Sequence, residues 1–169
     1  MSRHGVLVAG VGNIFLSDDG FGCEVARRLE GAGLPAGVRV ADYGIGGIHL
    51  AYDLLDEYAL LILLDTVDDV GDGGRPGDVA VIEVDPDDGR PQLDAHSMDP
   101  ATVFTSLRTL GGSPPRTLLV GCKPADVGEG MGLSPAVADA VDVAIAAVRE
   151  LLDNVADGAS TPAAAAKEH

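Results

Sequence analysis

The chain has few aromatic side chains with which to stack a base or a sugar. Its 169 residues include three Phe, three Tyr and no Trp. Proteins that bind single-stranded nucleic acid commonly use aromatic side chains as stacking platforms. The composition therefore argues against a surface that recognises its ligand by stacking.

Basic residues are also scarce. The chain has 11 Lys and Arg against 27 Asp and Glu, which gives a formal net charge of −16. A charge of this sign repels nucleic acid and anionic membranes at long range. We therefore expect no nucleic-acid or membrane partner. A basic protein partner would suit the charge, although the same charge also serves solubility.

The two cysteines, Cys23 and Cys122, stand outside any CxxC or CxH pattern. The metal-thiolate signatures are therefore missing, and we expect two buried free thiols in a reducing compartment. No signal-peptide pattern precedes the first predicted strand, and no apolar run is long enough to span a bilayer. These features predict a cytoplasmic protein.

Strand and helix patterns alternate along the chain. The predicted strands cover residues 5–11, 38–41, 58–64, 79–84 and 117–122, and the predicted helices cover 20–31, 48–56, 99–110 and 135–152. This alternation is typical of an α/β fold, a three-layer α/β/α sandwich with a twisted, mostly parallel sheet of about five strands. The apolar run 58–64 should be central and 79–84 an edge strand. We predict one domain over residues 1–153 and a disordered tail over 154–169.

The turn after the first strand is the most informative stretch. Gly10 and Gly12 follow a buried strand, and Asp18 and Asp19 come just before the first helix. The glycines resemble the start of a dinucleotide fingerprint, but Phe15 stands where its third glycine belongs. Open α/β sheets bind ligands at this edge. The turn therefore predicts a ligand site with acidic chemistry and argues against a nucleotide.

Two more polar residues are predicted at the same edge. Asp65 ends the central strand, and His96 lies in the loop before the third helix. Adjacent carboxylates repel one another unless one is protonated or a cation joins them. Carboxylates with an imidazole suit a divalent first-row transition metal. Simpler roles are also open, because Asp18 or Asp19 could cap the helix, Asp65 could bind turn amides and His96 could be solvated.

Six motifs occur along the chain in the order GVGNIFLSDDGFG, DYGIGG, LILLDTV, HSMDP, LLVGCKP and GLSP. Together they resemble the nickel–iron hydrogenase maturation endopeptidases, and the resemblance covers residues 5 to about 152. The first is the most specific. The resemblance implies a protease that removes a C-terminal extension from a hydrogenase large-subunit precursor after nickel insertion. It also implies that the enzyme holds no cofactor of its own, because the substrate supplies the nickel.

The resemblance also assigns residues. The metal-contacting and catalytic positions correspond to Asp19, Asp65 and His96, which leaves Asp18 as the helix cap. A segment that lines the substrate cleft corresponds to Asp42, Gly44, Gly46 and Gly47. The implied partner is the large-subunit precursor, and we expect a monomer.

One position departs from the family pattern, and two other functions compete. Lys123 stands where the family usually has Glu or Gln, so it either faces the cleft and repels nickel or points into solvent. A receiver domain would also carry an acidic pair, an Asp like Asp65 and a Lys-Pro pair, but it gives His96 no role. A nickel-binding maturation factor without enzymatic activity could share the same fold.

Overall fold

The computed structural model describes residues 5–68, 70, 74–86 and 100–156, and within them a five-stranded sheet lies between two layers of helices. The strands are β1 (Val6–Val11), β2 (Val38–Gly44), β3 (Leu60–Thr66), β4 (Val79–Val84) and β5 (Arg116–Cys122). The helices are α1 (Phe21–Glu30), α2 (Gly47–Asp53), α3 (Pro100–Thr109) and α4 (Pro135–Ala156). None of these helices is long and apolar enough to cross a bilayer.

The strand order is β2-β1-β3-β5-β4. The pairs β1–β2, β1–β3 and β3–β5 are parallel, and only the edge strand β4 runs antiparallel to its neighbour β5. The predicted α/β sandwich with a mostly parallel sheet is therefore confirmed. The predictions of a central strand near 58–64 and an edge strand at 79–84 are confirmed as well.

The sheet separates two apolar cores, and β3 contributes to both of them. Leu60, Ile62 and Leu64 pack into the core that α1 and α4 cover, whereas Leu61 and Leu63 pack into the core of α2 and α3. A strand buried on both faces needs apolar side chains at every position. This requirement explains why β3 shows no alternation in the sequence.

Several predicted boundaries differ from the structure. β2 continues to Gly44, because the ladder with β1 extends past Ala41 through a register shift between Gly10 and Val11. The helix predicted over 48–56 is α2 followed by a separate 3-10 turn, Leu54–Asp56. α4 runs to Ala156, so residues 154–156, which the sequence predicts to belong to a disordered tail, continue the helix, while the single domain over 1–153 stays a prediction. Residues 157–169 of the predicted tail lie outside the described residues.

Glycines allow the first turn of α1 to lie directly against the carboxyl ends of β1 and β3. A Cβ on Gly22 would come within 1.9 Å of the Leu64 carbonyl oxygen, and one on Gly10 would come within 2.4 Å of the Gly22 carbonyl oxygen. A side chain at either position would push the helix away from the sheet. This close approach holds the loop that precedes α1 over the edge of the sheet.

Candidate active site

The β1–α1 loop folds back on itself, so that its end returns to its start. Gly12 has φ +134°, and a Cβ there would come within 2.0 Å of the Asp19 carbonyl oxygen. Asn13 accepts a side-chain hydrogen bond from the Phe15 amide at 2.9 Å, and its carbonyl accepts one from the Leu16 amide at 3.0 Å. Only glycine combines this backbone conformation with such a close contact. The loop therefore places Asp19 directly beside Gly12.

Asp19 is fixed by two hydrogen bonds from different parts of the chain. Its Oδ2 accepts a bond from the Asn13 amide at 2.8 Å. Its Oδ1 accepts a bond from the Thr66 hydroxyl at 3.1 Å, and Thr66 is the last residue of β3. The carboxylate is partly buried and points to the end of the central strand.

Asp65 lies next to this carboxylate. Its Oδ1 accepts a hydrogen bond from the Thr66 amide at 2.7 Å. The same oxygen would lie 3.6 Å from a Cβ atom at Gly12, if that residue carried one. Burial raises the pKa of Asp65 well above its usual range, and the Asp19 charge raises it further, while the Thr66 amide opposes both effects. The structure thus brings Asp19 and Asp65 together in one site, as the sequence predicted.

Thr66 is a site residue that the sequence analysis missed. Its hydroxyl donates to Asp19 and its amide donates to Asp65, so one residue orients both carboxylates. The LILLDTV motif contained this residue, but a threonine after a strand has many ordinary roles. Only the fold of the β1–α1 loop shows that its hydroxyl meets Asp19.

Asp18 does not cap the first helix, and this prediction was wrong. Neither the 3-10 turn Ser17–Gly20 nor α1 has a side-chain cap at its N-terminus. Asp18 is fully buried, and its carboxylate accepts hydrogen bonds from the β5–α4 loop. The donors are the amides of Ala125, Asp126 and Ser134 and the hydroxyl of Ser134, at 2.7 to 2.9 Å.

The four bonds to Asp18 have a clear physical origin. The adjacent side chain of Asp19 already points to β3, and the 3-10 turn directs Asp18 to the opposite side, toward β5. Burial raises the pKa of Asp18, but the hydrogen bonds from Ser134, Asp126 and Ala125 outweigh it, so the net pKa is lowered. Asp18 is therefore an ionised structural residue that joins two loops.

The residues predicted to line the substrate cleft lie at the neighbouring strand end. The Gly44 carbonyl accepts a hydrogen bond from the Gly12 amide at 2.9 Å, which joins this segment to the β1–α1 loop. Asp42 accepts a bond from the Gly44 amide at 2.9 Å, and Gly46 and Gly47 lead into α2. Asp42, Gly44, Gly46 and Gly47 therefore share the sheet edge with Asp19 and Asp65, while their part in substrate binding stays a prediction.

Both cysteines are buried free thiols, as predicted. The Cys23 thiol donates to the Gly12 carbonyl at 3.5 Å. Burial raises its pKa, and the nearby Asp42 carboxylate raises it further. A thiol with a raised pKa is a poor nucleophile at neutral pH. Cys23 therefore has a structural role, because its thiol binds the Gly12 carbonyl in the β1–α1 loop.

The third predicted metal ligand, His96, lies outside the described residues, as does the rest of the segment 87–99. Among the described residues, no three His, Cys, Asp or Glu side chains are grouped closely enough to hold a metal ion. The pair of Asp19 and Asp65 is thus the described part of the predicted set, and the ligand role of all three residues stays a prediction.

Lys123 neither joins the carboxylate pair nor points freely into solvent. Its ammonium group donates to the Asp68 carbonyl at 2.8 Å, and its own backbone bonds to Gly77 and Asp78. The lysine therefore holds the loop after β3 against the start of β4. A receiver domain would need this cation at the acidic site, so the geometry argues against that alternative.

Fold and site together define a class of α/β enzyme with paired carboxylates at the carboxyl edge of a parallel sheet. A family model described as hydrogenase maturation protease (HycI) matches residues 23–151. The hydrogenase expression/formation protein HupD of Rhodobacter capsulatus is 38% identical over 152 residues, which cover 86% of this chain and 70% of that protein.

Two further relatives come from Escherichia coli. The hydrogenase 2 maturation protease is 32% identical over 155 residues, with 86% of this chain and 91% of that protein covered. The solved structure of the hydrogenase maturating endopeptidase HybD matches with a TM-score of 0.75 at 29% identity, covering 89% of this chain and 93% of that one. The chain belongs to the hydrogenase maturation protease family, and it is a hydrolase.

Proposed function

We propose that this protease removes the C-terminal extension of a nickel–iron hydrogenase large-subunit precursor after nickel insertion. We further propose that it recognises the nickel that the precursor carries. The observation that supports this function best is the carboxylate pair of Asp19 and Asp65, which Thr66 orients at the edge of the sheet. The related proteins are named as proteases of hydrogenase maturation, which agrees with a precursor of this kind as substrate.

The pair is suited to an incoming divalent cation. Burial and the Asp19 charge both oppose ionisation of Asp65, and a cation near both groups would reverse the second effect. Two carboxylate oxygens together with the imidazole predicted at His96 form a donor set that first-row divalent metals accept. The nickel arrives in the precursor, held by its cysteine thiolates, and is therefore part of the substrate.

Binding the nickel would position the neighbouring peptide bond. Tethering of reacting groups in this way is worth about 7 kcal/mol or more of the activation barrier. Hydrolysis then adds water to the scissile carbonyl and passes a proton to the departing amine. Gly44, Gly46 and Gly47 carry no side chains, which would let an extended peptide approach their backbone closely.

The test compares cleavage of nickel-loaded and nickel-free precursor, followed by mass spectrometry. We expect Asp19→Ala, Asp65→Ala and His96→Ala each to lower the cleavage rate of the loaded precursor by at least about 100-fold. Asp139→Ala, which removes an exposed carboxylate on α4, is the matched control and should cleave normally. Normal processing by the first three variants would overturn the site, and equal cleavage of both precursors would overturn nickel recognition.

A further inference from the structure

An exposed apolar surface lies beside the carboxylate pair. It consists of Ile14 and Phe15 in the β1–α1 loop and of Val127 and Met131 in the β5–α4 loop, and we refer to these four residues as the two-loop surface. Their side chains are 43%, 61%, 48% and 70% exposed, respectively. Exposed apolar side chains scattered singly are ordinary, but a group of them held together marks an interaction site.

The backbone holds the two loops together firmly. The Gly130 amide donates to the Phe15 carbonyl at 2.9 Å, and the Ser17 amide donates to the Gly130 carbonyl at 2.8 Å. The Ser17 hydroxyl also donates to the Gly128 carbonyl at 2.8 Å. Beneath these bonds lies the buried Asp18 carboxylate, which binds the same loop. The apolar side chains are therefore presented by a rigid support, which reduces the entropy lost when a partner binds.

The surface is continuous with the candidate active site. The amide of Asn13 donates to Asp19, and the next two residues are Ile14 and Phe15. A polypeptide whose scissile bond lies at Asp19 and Asp65 would therefore contact the two-loop surface within a few residues of the cut.

The exposed charges on the two loops are negative. The segments 12–20 and 124–134 contain no Lys or Arg, and their exposed charged residues are Asp126 and Glu129. Asp126 and Glu129 are exposed on the same loop as Met131. A partner that complements this surface would present an apolar segment flanked by basic side chains.

We propose that the two-loop surface is the docking site for the hydrogenase large-subunit precursor, which contacts it through an apolar segment flanked by Lys or Arg. This inference rests on the proposed function, and it adds a binding surface that acts separately from the carboxylate pair. The surface contributes affinity for the precursor, whereas Asp19 and Asp65 act at the peptide bond.

The test measures processing rate against precursor concentration for a Phe15→Ser/Met131→Ser double variant. Both residues are exposed, so the fold should survive, which circular dichroism will verify. We expect KM to rise at least about tenfold with kcat nearly unchanged, because the lost contacts are made equally in the bound and transition states. Val143→Ser is the matched control, since Val143 is 56% exposed on α4, and its KM should equal that of the unaltered protein.

Two further measurements complete the test. Raising NaCl from about 50 to 500 mM should increase KM of the unaltered protein, and Glu129→Gln should weaken this salt dependence. Direct binding of the precursor is measured on the same proteins by interferometry. An unchanged KM in the double variant would overturn the docking site. A precursor that binds but stays uncut would overturn the proposed function, and the binding data would still test the surface.

Discussion

Replacing Asp18 by Asn tests whether one buried carboxylate holds the two loops of the site together. The substitution preserves the size of the side chain and removes its charge. In the native protein the carboxylate accepts four hydrogen bonds, three at Oδ2 and one at Oδ1. An asparagine can turn its oxygen toward the three donors, but its NH₂ group then faces the amide of Ser134. That amide loses its acceptor, and the other three donors bond to a neutral oxygen.

The expected loss of stability follows from these bonds. A hydrogen bond to a charged group contributes about 1 kcal/mol more than one to a neutral group, and a buried donor without an acceptor costs about 1–3 kcal/mol. Three weakened bonds and one lost bond, offset in part by the easier burial of a neutral side chain, give a net loss of about 3 kcal/mol. For a chain of this length the melting temperature should fall by about 6–12 °C.

The dependence on pH identifies the cause of this loss. The pKa of Asp18 is lowered in the folded protein, so its stabilising effect is present above the unfolded pKa of about 3.9 and is lost as pH falls through the folded pKa. Urea unfolding should therefore show the full difference between the two proteins at pH 7 and a smaller one in acid. Asp139→Asn, at an exposed site, is the control. A difference below about 0.5 kcal/mol at pH 7 would refute the reasoning.

Three more substitutions test the carboxylate pair. Asp65→Asn should raise the free energy of unfolding at neutral pH and abolish processing. Burial raises the pKa of Asp65 in the folded protein, so the folded state loses stability as pH rises from the unfolded pKa of about 3.9 through the folded pKa, and an asparagine has no such loss. A variant less stable in urea would contradict this. Gly12→Ala should destabilise the protein by at least about 2 kcal/mol and halt processing, because the Cβ of the new alanine would lie 2.0 Å from the Asp19 carbonyl oxygen. An unchanged melting temperature would refute this contact. Thr66→Val should lower kcat about tenfold with little change in melting temperature, because Asp19 loses the hydrogen bond from the Thr66 hydroxyl. A normal kcat would show that this hydrogen bond is dispensable.

The fold was predictable because its signals are local. The continuous apolar run in β3 reflects burial on both faces, and the strand and helix alternation gives the sandwich. The errors lie where long-range contacts decide the structure. β2 extends to Gly44 because β1 offers it further ladder partners, and no local pattern marks that extension.

The site was only partly predictable for a similar reason. The sequence shows the acidic pair Asp18 and Asp19, but the two residues differ in role because they face opposite sides of a 3-10 turn. The donors to Asp18 are more than 100 residues away in the chain, so no local pattern could predict them. The role of Gly10 was also hidden, because its close approach to α1 exists only in the folded protein. The strand pattern already predicted Asp65 at the same sheet edge as Asp19, and the structure showed that Thr66 bonds to both.

Under the proposed function, the two parts of the site act on different steps of recognition. A precursor that carries nickel would bring a cation to Asp19 and Asp65 and so relieve their repulsion, whereas an unloaded precursor would not, so this pair would separate loaded from unloaded precursor. The two-loop surface contacts the polypeptide and should bind both forms equally. Loss of Phe15 and Met131 should therefore weaken binding of both precursors by the same factor, whereas Asp65→Asn should reduce the ratio of their affinities. Interferometry with the two precursors measures both quantities, and a change in that ratio in the Phe15→Ser/Met131→Ser variant would refute the division of roles.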